Sequence, residues 1–243
     1  MRPRVRFALA VRWQFWTPAP LGADQVELTM LTIWGRKTSI NVQKVMWAVE
    51  ELGLAHERID AGGPFGKTDT ADYGKLNPNR LVPVIDDKGF ILWESNACAR
   101  YLANTYGLGT LAPSGPEDRA RCDQWMDWSI TTLYPDVIPS LFVSFVRVTA
   151  ADRDMAKVNA AAKRAGENLA LLDAQLAGHD YILGNTLTMA DIAVGTLLYR
   201  YNTMPIERPK LPNAEAYYQR LSARKAYQTH VMIDWQSMKI PGA

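Results

Sequence analysis

The run RLVPVIDDKGFILWESNACARY, Arg80 to Tyr101, limits the possible folds of this chain more than any other segment. Val82-Pro83-Val84-Ile85 predicts a buried strand, Asp86-Asp87-Lys88-Gly89 a turn, and Phe90-Ile91-Leu92-Trp93 the return strand. Glu94-Ser95 then opens a helix with Ala97, Cys98, Tyr101 and Leu102 on its apolar side, and Ser95 suits the N-cap. The free N–H groups behind such a cap favour a carboxylate, while the adjacent Glu94 favours an ammonium. Donors for a carboxylate beside an acceptor for an amine are what an α-amino-acid end group requires. A strand that begins at Pro83 also leaves the Val82 N–H and C=O able to pair with an extended peptide. From this segment alone, an ordinary hairpin followed by a capped helix is an equally good description.

The upstream sequence adds a strand, Leu31-Thr32-Ile33-Trp34, and a polar turn, Gly35-Arg36-Lys37-Thr38-Ser39. A helix follows, with Val42, Val45, Met46, Val49 and Leu52 at three- and four-residue spacing and Gly53 as its stop. Ala55 to Asp60 predicts a second strand. In order, this gives strand–helix–strand, a loop, then strand–strand–helix. The pattern resembles the thioredoxin-like domain of soluble glutathione transferases. The matching residues are Ser39-x-Asn41-x-x-Lys44-Val45, Asn77-Pro78-Asn79, Val82-Pro83-Val84 and Trp93-Glu94-Ser95-Asn96-Ala97. Bacterial members of theta and nu type are the most similar, and the resemblance runs from about residue 28 to about 234. It implies an α/β N-terminal thioredoxin-like domain (βαβ-ββα) over 29–106, a linker over 107–115, an all-α C-terminal helical domain over 116–234 and a tail over 235–243.

Past the Gly/Pro-containing linker the strand signal ends. Ser114-Gly115-Pro116-Glu117 supplies a helix cap, a first-turn proline and a capping-box acid. Pro135 and Pro139 are expected to kink or interrupt the helix that follows. Asp152 to Ala177 carries a helical apolar stripe of Val158, Ala162, Ala165, Leu169, Leu172 and Leu176. Thr188 and Asp191 form a capping box, and Leu187 with Ile192 a hydrophobic staple. Further helices are predicted over 213–221 and 224–233.

The charge balance narrows the partners. The whole of the net +2 lies in the first 28 residues, where Arg2, Arg4, Arg6 and Arg12 outnumber Asp24 and Glu27. The neutral remainder gives no support for nucleic-acid or anionic-membrane binding. Phe7 to Val11 imitates a signal-peptide core, but Arg12 cuts it to five residues, short of the usual 7–15 or so. Residues 1–28 are therefore expected to be a disordered extension of a cytoplasmic protein. No apolar run approaches the roughly 18 residues of a membrane span. Cys98 and Cys122 fall on apolar helix faces, as buried small hydrophobes do. With His56, His179 and His230 scattered, no metal-ligand spacing occurs.

The resemblance implies glutathione as cosubstrate, whose thiol must ionise near neutral pH. Its sulfur would lie over the helix that begins near Ser39, with the Ser39 hydroxyl and the Asn41 amide as donors and the helix dipole adding positive potential. Ser39 takes the theta-type catalytic serine position and Asn41 the nu-type asparagine, although Ser39 can equally be only an N-cap. Glu94 would hold the γ-glutamyl ammonium, Ser95 its carboxylate, and the Val82 backbone the cysteinyl residue, provided the bond to Pro83 is cis. Arg80, with Lys67 as competitor, would face the glycine carboxylate. Related bacterial proteins carry Gly and then Lys or Arg before the Val-Pro pair, where this chain has Arg80-Leu81. Trp34, Tyr134, Phe142 and Phe145 are candidates for the wall of a small hydrophobic electrophile pocket, with core packing as the alternative. The activity implied is conjugation by a homodimer. A glutathione-dependent disulfide or peroxide reductase, or a non-catalytic regulatory protein, would use the same scaffold.

Overall fold

A computed structural model describes residues 30–243; the expected extension over 1–28 lies outside the described residues. Four strands form one mixed sheet in the order β2-β1-β3-β4. β1 (Leu31–Trp34) runs parallel to β2 (His56–Ile59) and antiparallel to β3 (Val84–Asp87), which pairs antiparallel with β4 (Phe90–Trp93). α1 (Ile40–Glu51) makes the crossover between β1 and β2, and α3 (Ser95–Tyr106) follows β4. The sequence pattern is thus realised, with local corrections.

β3 begins at Val84, not Val82, and continues through Asp86 and Asp87. The hairpin turn narrows to Lys88-Gly89, with φ of 56° and 88°. Two successive positive φ values make the tight turn whose twist matches the flanking strands. Ser95 is the first helical residue of α3, and Glu94 takes the N-cap position. The connection read as a loop contains a further helix, α2 (Ala71–Leu76), capped by the Thr70 hydroxyl, which accepts from the Tyr73 N–H.

The helical half holds α4 (Pro116–Trp128), α5 (Val143–Val146), α6 (Met155–Gln175), α7 (Met189–Thr203), α8 (Pro212–Ser222) and α9 (Lys225–His230). Pro135 and Pro139 do not interrupt the first of these. α4 continues through two π-helical segments, Ser129–Leu133 and Asp136–Phe142, into α5. The result is one helix over Pro116–Val146. Pro139 has no N–H to give the Pro135 carbonyl, and the Ser140 hydroxyl donates to it instead at 2.8 Å. The wider π pairing absorbs what would break a regular ladder. An 18-residue window of this helix is apolar enough to cross a membrane, with mean hydropathy 1.3, but half of that window is buried inside the fold.

Inside this half, the expected capping box forms. The Asp191 carboxylate accepts from the N–H groups of Thr188 (2.7 Å) and Ile182 (3.0 Å) and the hydroxyls of Thr188 (3.0 Å) and Tyr217 (2.9 Å). Cys98 and Cys122 are buried thiols, and burial pushes them up to about 12 and about 11. The chain end folds back, with Trp235 buried and the Ile240 N–H donating to the Val146 carbonyl.

α1 joins the two halves because it is apolar on two sides. Val42, Val45, Met46 and Val49 pack beneath the sheet, while Ile40, Trp47 and Ala48 enter the helical core. Trp47 meets Tyr227 edge-on at 4.8 Å, and its indole N–H is satisfied by Glu51. The start of α1 is therefore fixed where sheet and helices meet.

Candidate active site

Several main-chain bonds fix the turn that delivers Ser39. The N–H groups of Gly35 and Arg36 donate to the carbonyls of Ile59 and Ala61, and that of Ser39 donates to the Arg36 carbonyl. Gly35 is required by contact, since a Cβ there would lie 2.3 Å from a Val42 methyl. From the helical half, the Arg200 guanidinium donates to the Thr38 carbonyl at 2.7 Å while stacked 4.0 Å from the centre of the Phe142 ring. Burial pulls its pKa down to about 10. Arg200 had no sequence signal beyond its place in a helix, so reading the sequence missed it.

Ser39 occupies the N-cap position of α1 with extended backbone, yet its side chain makes no capping bond. Its hydroxyl is not spent on the helix. Two residues on, Asn41 is half-buried and accepts through Oδ1 from the Ser95 hydroxyl at 3.3 Å. Ser95 is turned inward, with Lys44 Nζ donating to its Oγ at 3.2 Å. The Ser95 N–H precedes the first intrahelical bond of α3, from the Cys98 N–H to the Glu94 carbonyl. Glu94 is exposed and held at φ 71°, a backbone region that costs a non-glycine residue about 1–3 kcal/mol and often marks a site. Three predicted residues, Asn41, Glu94 and Ser95, are thus contiguous, and Ser39 stands two residues before Asn41 at the α1 N-cap.

The Val82–Pro83 bond is cis. Extending the antiparallel register from Trp34↔Val84 puts Val82 opposite Arg36, in the same turn as Ser39. Among the described residues, no hydrogen bond uses the Val82 N–H or C=O. Arg36 is half-buried and borders Gly62, itself in contact with Val82. Arg80 is exposed and donates to the carbonyls of Thr68 (3.3 Å) and Thr70 (2.8 Å). Lys67 is exposed.

Of the four aromatic candidates, Phe142 and Phe145 belong to the helical core and Trp34 packs beside Ala61, Tyr73 and Val84. Tyr134 alone lines the crevice at the domain junction, with Ile40, Asn41, Lys44 and Ile130. The crevice is closed as it stands, with about 0 Å³ open to a water-sized sphere. Burial raises the Tyr134 pKa, so its hydroxyl stays protonated.

Comparison with known proteins places both halves in one family. Residues 38–105 match the family model "Glutathione S-transferase, N-terminal domain", and residues 142–220 match "Glutathione S-transferase, C-terminal domain". Glutathione S-transferase GstB of Escherichia coli (strain K12) is 39% identical over 206 residues, covering 84% of this chain and 99% of that protein. The chain belongs to the glutathione S-transferase family. A solved theta class glutathione S-transferase of Xanthomonas axonopodis pv. citri, with glutathione bound, is similar to this family member at 46% identity and TM-score 0.79, covering 84% of this chain and 98% of that one. The Bombyx mori glutathione transferase BmGSTD1 is similar at 26% identity and TM-score 0.75, covering 84% and 94%. This glutathione S-transferase is accordingly a two-part enzyme, with a thioredoxin-like half and a helical half.

Proposed function

We propose that the enzyme binds glutathione across the mouth of β3 and the starts of α1 and α3, and conjugates its thiolate to a small hydrophobic electrophile. The observation that carries this reading is the Ser39 hydroxyl at the α1 N-terminus, left unspent by capping, with Asn41 beside it. A free thiol has a pKa of about 8.5, so only about 3% is ionised at pH 7. Lowering it by two units raises that to about 75%, at a stabilisation of about 2.7 kcal/mol. Two charge-assisted hydrogen bonds and a helix dipole are enough to supply this. The thiol proton leaves to solvent. Carbon–sulfur bond formation then expels the leaving group with its electron pair, or adds sulfur to one carbon of an activated double bond while the carbanion so formed takes a proton back from solvent.

The remaining contacts follow the ends of the tripeptide. Glu94 takes the γ-glutamyl ammonium and the N–H groups at the start of α3, Ser95 first, its carboxylate. The Val82 main chain pairs with the cysteinyl residue. Around the glycine carboxylate stand Arg36, beside Gly62 and Val82, and Arg80, whose guanidinium already holds two loop carbonyls. The electrophile approaches the sulfur past Tyr134 and Ile130, where the crevice must widen to admit it. A cytoplasmic homodimer with a detoxifying role is supported by family resemblance.

The test is calorimetric binding of glutathione to wild type, Ser39→Ala and Asn41→Ala, together with chloronitrobenzene conjugation and disulfide reduction. Conjugation lost at least tenfold in Ser39→Ala with little change in Kd supports the assignment. Reductase turnover without conjugation would replace it, and an absence of glutathione binding in wild type would leave a regulatory protein.

A further inference from the structure

Lys44 is an unexpected residue where it stands. It interrupts the apolar run Val42–Val49, is only 4% exposed, and forms no ion pair among the described residues. Its ammonium instead makes two hydrogen bonds across to α3, to Ser95 Oγ at 3.2 Å and Asn96 Oδ1 at 2.5 Å. Asn96 is fixed from its other side, because its amide N–H donates to the Met126 carbonyl at 2.8 Å. Helix–helix adhesion alone would be served as well by an aliphatic side chain, without the cost of a buried charge.

The consequence lies in the direction of the bonds. An ammonium has three donors and no acceptor, so Ser95 Oγ must accept from it. The Ser95 proton is then turned onward, and it meets Asn41 Oδ1 at 3.3 Å. An asparagine whose oxygen is committed inward presents its two N–H donors outward. Without the ammonium, Ser95 can accept from the Asn41 amide instead, and the amide rotates to aim its oxygen at the sulfur. That oxygen would repel a thiolate where the N–H groups would hold it.

We propose that Lys44 is a positioning residue for thiol activation: through Ser95 it fixes the Asn41 side chain with its N–H groups toward the glutathione sulfur. This rests on the reading of the site given under Proposed function. Burial lowers the Lys44 pKa to about 8, with Glu94 opposing the shift, so the ammonium form prevails at neutral pH.

The experiment measures the pKa of enzyme-bound glutathione from its ultraviolet thiolate absorbance, together with kcat/KM. The proteins are wild type, Lys44→Met, Lys44→Arg, Ser95→Ala, Asn41→Ala and the Lys44→Met/Asn41→Ala pair. Lys44→Met should raise the bound thiol pKa by about one unit, which is about tenfold less thiolate, and Lys44→Arg should restore most of it. Combined with Asn41→Ala, it should add almost nothing beyond that single change. Ser95→Ala breaks the relay without touching the charge and should raise the thiol pKa as well, which keeps the proposal testable should Lys44→Met fold poorly. A thiol pKa unchanged in Lys44→Met or in Ser95→Ala overturns the proposal. So do losses that multiply in the double variant. A wild type that binds glutathione without lowering its thiol pKa overturns the reading of the site as a whole. A lowered pKa shared by wild type and Lys44→Met removes only the role of Lys44.

Discussion

Replacing Lys44 by methionine should leave the enzyme nearly as stable at neutral pH and change how its stability depends on pH. Burial lowers the Lys44 pKa from 10.5 to about 8. At about 1.4 kcal/mol per unit, holding the ammonium inside the fold costs about 3 kcal/mol at any pH below 8. Methionine removes that cost and fills a similar volume. It also takes the Lys44 donor from Asn96 Oδ1, at a cost of about 1–3 kcal/mol for a buried acceptor, while Ser95 retains Asn41. The two effects nearly cancel at pH 7, with a net change within about 2 kcal/mol of zero. The pH dependence does not cancel. Between about 8 and 10.5 the unfolded chain keeps the Lys44 proton while the folded protein sheds it, so this group makes wild type more stable as pH rises through that window. Below about 8 both states are protonated and its contribution is flat. Cys98 and several buried tyrosines have raised pKa values and act in the opposite sense, but they are common to both proteins. The difference in unfolding free energy, measured with urea at pH 7, 8, 9 and 10, therefore isolates Lys44. Wild type should gain up to about 3 kcal/mol on Lys44→Met by the top of the range. Parallel curves would refute the account of a buried, desolvated ammonium.

Two other substitutions separate folding from binding. Asp191→Ala strips the acceptor from two main-chain N–H groups and the Tyr217 hydroxyl inside the helical core, so a loss of at least about 4 kcal/mol is expected, read by urea unfolding. Glu94→Ala leaves the fold nearly unchanged, because the carboxylate is exposed and alanine bears the same positive φ, yet calorimetry should show glutathione bound about tenfold more weakly. An unchanged Kd would place the γ-glutamyl end elsewhere.

Much of the fold was legible because it is written in local chemistry. The spacing of Val42, Val45, Met46 and Val49, the Thr188–Asp191 box and the turn signal between β3 and β4 all act within a few residues. The misses have physical reasons. Pro135 and Pro139 carry a strong local veto on helix, but a hydroxyl one residue beyond Pro139 takes over its missing bond, and propensity cannot register that compensation. Ser95 has the ideal chemistry for an N-cap, yet Glu94 occupies that position. The Ser95 hydroxyl is drawn away by partners 51 and 54 positions earlier in the chain, a pull no local reading contains. α2 was hidden because only Tyr73 of its residues is buried, leaving no apolar period to detect.

The candidate site divides along the same line. Residue types that meet the needs of a peptide ligand, an acid beside a helix start and a main chain held off by proline, are conspicuous in sequence because each acts alone. What tunes them is relational. Lys44 was visible in the sequence only as one residue of the Ser39-x-Asn41-x-x-Lys44-Val45 match. Its purpose becomes readable only once α3 supplies Ser95 and Asn96, and once Met126 fixes Asn96 from behind. A fold that bears the desolvation of an ammonium, while an aliphatic residue of the same length would pack without it, must gain something other than stability from the charge. Beside Asn41, that gain is a fixed hydrogen-bond direction at the place where a sulfur must become an anion.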